Sequence, residues 1–72
     1  MSFTLITTEK EVFSSDIVRD PQQNSLYKVL DKDNYFKRLL IQLLDDSFST
    51  ASERKVIIYE QSIINKWEKL DS

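Results

Sequence analysis

No glycine occurs among the 72 residues of this chain, and that absence removes more architectures than any other single feature. Glycine takes left-handed backbone at no steric cost. Without it, phosphate-cradling loops, tight glycine-dependent hairpin turns and the usual helix C-caps lose their ordinary occupant. Helix interiors need no glycine, and the long stretches that also lack proline read most naturally as helices.

Size and composition narrow the field further. Seventy-two residues set a ceiling of one domain, spanning 1–72, because two separate cores would each be too small to fold. Hydrophobic residues make up 40% of the chain, enough for one small core and too many for a disordered acidic tail. Cysteine and histidine are both absent. No disulfide, thiol nucleophile, imidazole base or imidazole metal ligand is therefore available. The net charge of −2 supplies no basic excess for duplex DNA or an anionic membrane. The longest apolar run, Leu39-Leu40-Ile41 and then Leu43-Leu44 after Gln42, falls far short of a bilayer span. The segment Met1–Ile6 has no basic flank or long apolar stretch, so it does not read as a signal peptide. A cytoplasmic location is expected.

Residues 1–24 read as an arm or a short helix. Thr8 and Glu11 have capping-box spacing ahead of Val12, Phe13, Ile17 and Val18. Pro21-Gln22-Gln23-Asn24 then breaks the chain. Residues 25–72 read as a helical hairpin, with Ser25 as a first N-cap and Asp33 or Asn34 recapping a long helix over 33–46. Phe36, Leu39, Leu40, Leu43 and Leu44 keep the i, i+3, i+4, i+7, i+8 pattern of one helix face. Asp45–Thr50 forms the second break, since acidic side chains oppose the dipole at a helix C-terminus. Thr50 with Glu53 caps a second long helix over 51–70, along which Val56, Tyr59, Ile63, Trp67 and Leu70 make a heptad-like seam. The run Val56-Ile57-Ile58-Tyr59 has high β propensity, but the length of the periodic segment decides for helix. The expectation is an all-α protein, a small helical hairpin or three-helix bundle with an N-terminal arm.

The stretch Lys32-Asp33-Asn34-Tyr35-Phe36-Lys37-Arg38-Leu39-Leu40-Ile41-Gln42-Leu43 resembles a segment near the N-terminus of flagellar hook-capping proteins. The Asn-Gln-Asp-Pro signature that follows it in that family is replaced here by Leu44-Asp45-Asp46-Ser47. The resemblance covers those residues alone and no function is carried over from it.

Catalysis is not expected. The carboxylate pairs Asp31/Asp33 and Asp45/Asp46 sit at element boundaries, where aspartate caps and solvates, and neither has the oxygen-rich context of a Ca²⁺ loop. No cofactor and no metal is expected. The residues instead point to a non-catalytic module that binds another protein through helical surfaces and self-associates. The candidate interface is Ile41, Leu44, Ile57, Ile58 and Ile64, the surplus apolar faces of two helices that would gain from a partner. The alternative is a dimeric DNA-binding regulator of helix-turn-helix type, using Lys37, Arg38, Arg54 and Lys55 as one basic patch. Four apolar residues where a recognition helix would read bases argue against nucleic acid. Trp67 falls on the seam of the last helix, so its ring is expected largely out of water.

Overall fold

The computed structural model describes residues 2–71. Six strands form one antiparallel sheet: β1 (Phe3–Leu5), β2 (Ile17–Asp20), β3 (Ser25–Asp33), β4 (Arg38–Leu44), β5 (Thr50–Tyr59) and β6 (Glu68–Leu70). Their order in space is β1-β6-β2-β3-β4-β5, which leaves β1 and β5 as the two edges. The only helical element among the described residues is a three-residue 3-10 turn, Glu60–Ser62. The all-α expectation is overturned, and with it the hairpin of helices over 33–46 and 51–70 and the helix-turn-helix.

The sequence pattern misleads for a physical reason. In β4, Leu39 and Ile41 are buried beneath the sheet while Arg38, Leu40 and Gln42 face the other way. Leu40 is apolar on the outer face, which hides the alternation. β4 keeps its register with β3 through Leu43 and Leu44, so these two also lie on opposite faces, and Leu44 is buried outside the core cluster. Apolar residues on both faces of one strand thus imitate one helix stripe. The seam through Tyr59, Ile63 and Trp67 has a different origin. Tyr59 ends β5, and the Trp67 N–H donates to the Ile63 carbonyl at 2.9 Å within the connection to β6. The helical spacing there is genuine, but it lasts about one turn.

The turns show how the chain does without glycine. Ser15, Asn24, Lys37, Phe48 and Asn65 all have positive φ, between 55° and 77°. Three of them lie in the turns that join β2 to β3, β3 to β4 and β4 to β5. Asparagine tolerates this region; a bulky residue such as Phe48 is strained in it. Side chains hold the turns in shape. The Asp33 carboxylate accepts from the Tyr35 and Phe36 N–H groups, and that of Asp45 accepts from Ser47 and Ser49. The N-terminal capping box is replaced by a simple turn, in which the Lys10 N–H donates to Thr7 Oγ1.

Ile6, Val12, Val18, Val29, Leu39, Ile41 and Ile63 form one buried cluster, with Tyr27, Ile58, Ile64 and Trp67 packed against it. Burying each of the aliphatic side chains contributes about 1.5–3 kcal/mol. Ile63 reaches this cluster because the chain crosses the core face on its way from edge strand β5 to β6. Asn65 N–H donates to the Ile6 carbonyl at 2.7 Å and Ile6 N–H to the Trp67 carbonyl at 3.0 Å, fixing the crossing. Trp67 is half-buried, its ring stacked on Tyr27 with centroids 5.4 Å apart.

Candidate protein interface

β3, β4 and β5 turn a second face to solvent, and its composition follows from their registers. Residues directly opposite share a face, so Arg38 and Tyr59, Leu40 and Ile57, and Gln42 and Lys55 lie together on the outer side. Asp31 and Asp33 join them from β3, opposite Leu40 and Arg38. Ile57 is 63% exposed and Tyr59 59%. At the adjoining turn, Phe36 and Tyr35 are exposed, with their rings edge to face at 4.7 Å.

Arg38 organises this patch. Its guanidinium pairs with Asp33 Oδ2 at 3.0 Å and lies 4.7 Å from the centre of the Phe36 ring. The Arg38 hydrogen bond, with the Tyr35 and Phe36 N–H groups, holds the Asp33 carboxyl below its ordinary pKa. Between Asp31, Asp33, Arg38, Leu40 and Ile57 lies a shallow depression of about 220 Å³. The arrangement offers an apolar floor, exposed aromatic rings and one fixed ion pair. Among the described residues no cluster of three or more acidic side chains is placed to hold a metal ion.

The edge of β5 adds a ladder that no neighbouring strand fills. Glu60 N–H donates to the Lys37 carbonyl at 2.9 Å, which continues the β4–β5 register by one residue. In an antiparallel ladder bonded pairs alternate. Ile58 and Val56 therefore bond inward to β4, while the N–H and C=O groups of Lys55, Ile57 and Tyr59 point away from the sheet, with the Tyr59 carbonyl already accepting from Ser62 Oγ at 2.6 Å through one of its two lone pairs. Residues Ala51–Arg54 leave the regular ladder, since the register jumps between Lys55 and Thr50. The regular open edge is Lys55–Tyr59.

The five residues expected at an interface are dispersed by the fold. Ile41 and Leu44 are buried, and Ile58 and Ile64 pack against the core. Ile57 alone is exposed. The basic residues do not all share a face either: Arg38, paired to Asp33, and Lys55 lie on the outer side, but Lys37 sits in a turn and Arg54 is the neighbour of Lys55 along the strand.

A buried ion pair lies behind the patch, and no spacing along the chain points to it. Lys32 and Glu60 side chains are 5% and 8% exposed and meet at 3.0 Å, and Lys32 Nζ donates to the Val12 carbonyl at 2.7 Å. Glu60 Oε2 accepts no well-angled hydrogen bond. This pair pins the end of β5 to β3. Comparison with known proteins gives nothing to set beside this geometry: no family model, no curated protein and no solved structure matches the chain. No helix among the described residues is long and apolar enough to cross a membrane.

Proposed function

We propose that this protein is a small non-catalytic interaction module of the cytoplasm, which binds other proteins by accepting an extended segment along the edge of β5. The observation that carries the reading is the open edge Lys55–Tyr59, whose outward backbone groups border the exposed apolar face of Ile57 and Tyr59. Strand addition draws affinity from main-chain hydrogen bonds and specificity from alternate side chains, and both are on offer here. The location rests on composition, since a chain without cysteine needs no oxidising compartment to fold. A net charge of −2 and scattered basic residues give no support to a nucleic-acid role.

Panning a displayed library of random nonapeptides against the protein tests this, with counter-selection on Ile57→Pro. The expected winners alternate apolar and polar residues and shift the amide resonances of Lys55, Ile57 and Tyr59. Recovery of no binder, or shifts confined to another surface, would overturn the reading.

A further inference from the structure

We propose that the natural occupant of the β5 edge is β5 of a second copy, paired antiparallel about a two-fold axis through Ile57. This rests on the edge reading above and commits it to one partner.

The outward-facing residues set the register. Two edges bond only if outward-facing residues oppose outward-facing residues. Lys55, Ile57 and Tyr59 are alternate residues, so a two-fold axis falling between two residues would oppose each of them with an inward-facing one. Such axes are excluded. An axis through Val56 sets Tyr59 against Glu53, which lies in the irregular part of β5. An axis through Ile58 sets Lys55 against Gln61, which belongs to the 3-10 turn. The axis through Ile57 alone opposes strand with strand throughout: Lys55 with Tyr59, Ile57 with itself, and Tyr59 with Lys55.

Side chains agree with that choice. The only charge in the segment, Lys55, comes to rest across from the Tyr59 ring, a cation–π pairing made twice by symmetry. No like charges face each other. On the opposite side of the ladder Val56 meets Ile58, a β-branched pair of the kind that favours sheets. Joining the two edges extends one six-stranded sheet into a continuous twelve-stranded one, and the outer apolar patches, with the two Ile57 side chains at the seam, become one surface.

Sedimentation equilibrium at tens of micromolar, run on the wild type and two variants, tests the proposal. Ile57→Pro removes an outward N–H without touching the bonds to β4. Ile57→Lys sets two cations against each other across the axis. Both should remain folded by circular dichroism and raise the dimer dissociation constant by at least about tenfold, equivalent to ~1.4 kcal/mol. Should the proline variant unfold, the lysine variant decides. In a mixed sample of isotope-labelled and unlabelled copies, Val56 Hα to Ile58 Hα contacts between copies should appear, which no other axis produces. A wild type that stays monomeric overturns self-pairing. If selected nonapeptides still shift Lys55, Ile57 and Tyr59, the edge reading survives that result; if they do not, both fall. A dimer unaffected by either variant also overturns the proposal.

Discussion

The two edges of this one sheet are built to opposite specifications. The β1 edge is three residues long and heavily tied down. Thr4 Oγ1 donates to Asp71 at 2.9 Å, and Arg19 bridges Glu68 at 2.6 Å while stacking 4.3 Å from the centre of the Phe3 ring. The β5 edge is long, and from Val56 to Tyr59 it carries no charge at all. Soluble proteins normally protect sheet edges by shortening them or by charging them. One edge here obeys that habit and the other departs from it. The departure is local, confined to the end of β5.

The largest expected effect comes from cutting the tie that holds the open edge in place. Glu60→Ala removes the closest counter-charge of the buried Lys32 ammonium and leaves it only the Val12 carbonyl at 2.7 Å and the more exposed Glu11 carboxylate at 3.9 Å, at a cost of about 3–4 kcal/mol. In a domain of this size that approaches the whole stability, and urea denaturation should show a largely unfolded chain. The double replacement Lys32→Met with Glu60→Leu removes both charges and should recover most of the loss. If the single variant is as stable as the wild type, the pair does not anchor β5.

Next in size is a direct contrast between the two sides. Trp67→Ala, at the connection into β6, removes the stack on Tyr27 and should cost about 3 kcal/mol. Ile57→Ala on the open edge should change monomer stability by no more than about 0.5 kcal/mol. Equal effects in urea unfolding of the monomer would erase the distinction between a packed side and a presenting one.

Glycine replacements probe the turns that feed the open edge. Lys37→Gly and Phe48→Gly relieve left-handed strain at φ of 57° and 64° and should each stabilise by about 0.5–1 kcal/mol, read as a rise in Tm. Asn24→Gly should do almost nothing, because asparagine already tolerates that conformation.

The smallest effect is electrostatic. Folding lowers the Asp33 pKa, first through the Arg38 hydrogen bond. The group therefore favours the folded state at neutral pH, and that contribution fades as acid passes down through its folded pKa. NMR titration should place the Asp33 midpoint below that of an ordinary carboxylate, and Arg38→Ala should move it back up.

Two breaks in the chain are legible from the sequence: Pro21–Asn24 is a turn, and the break at Asp45 is the turn that ends where β5 begins at Thr50. The reversal after Asp33 and the connection from β5 to β6 are not, since both fall inside the expected helices, although Asp33 does cap, in a hairpin and not a helix. Element type was not legible, because the evidence for it is nonlocal. Leu40 looks like a helix-face residue until Ile57 is known to lie across from it. The β propensity of Val56–Tyr59 was the correct signal, and it was outweighed by a periodicity that Ile63 and Trp67 owe to a single turn. Of the candidate interface only Ile57 is exposed, since apolar character alone does not separate a buried Ile41 from a presented Ile57. The Lys32–Glu60 pair left no trace at all, because its partners are brought together by the sheet and by no spacing along the chain.

The position of β6 sets an order of events in folding. The hairpins from β2 to β5 close short loops, whereas the β1–β6 register joins Phe3 to Leu70 and must wait for nearly the whole chain to be gathered. The meander that ends in the sticky β5 edge is therefore assembled while the opposite side is still unsealed. A nascent molecule passes through a stage with two reactive margins, β5 and the as yet uncovered β2, and encounters between such molecules compete with the docking of β6. Slow closure and early stickiness together make refolding yield fall with protein concentration, even where the finished fold is stable.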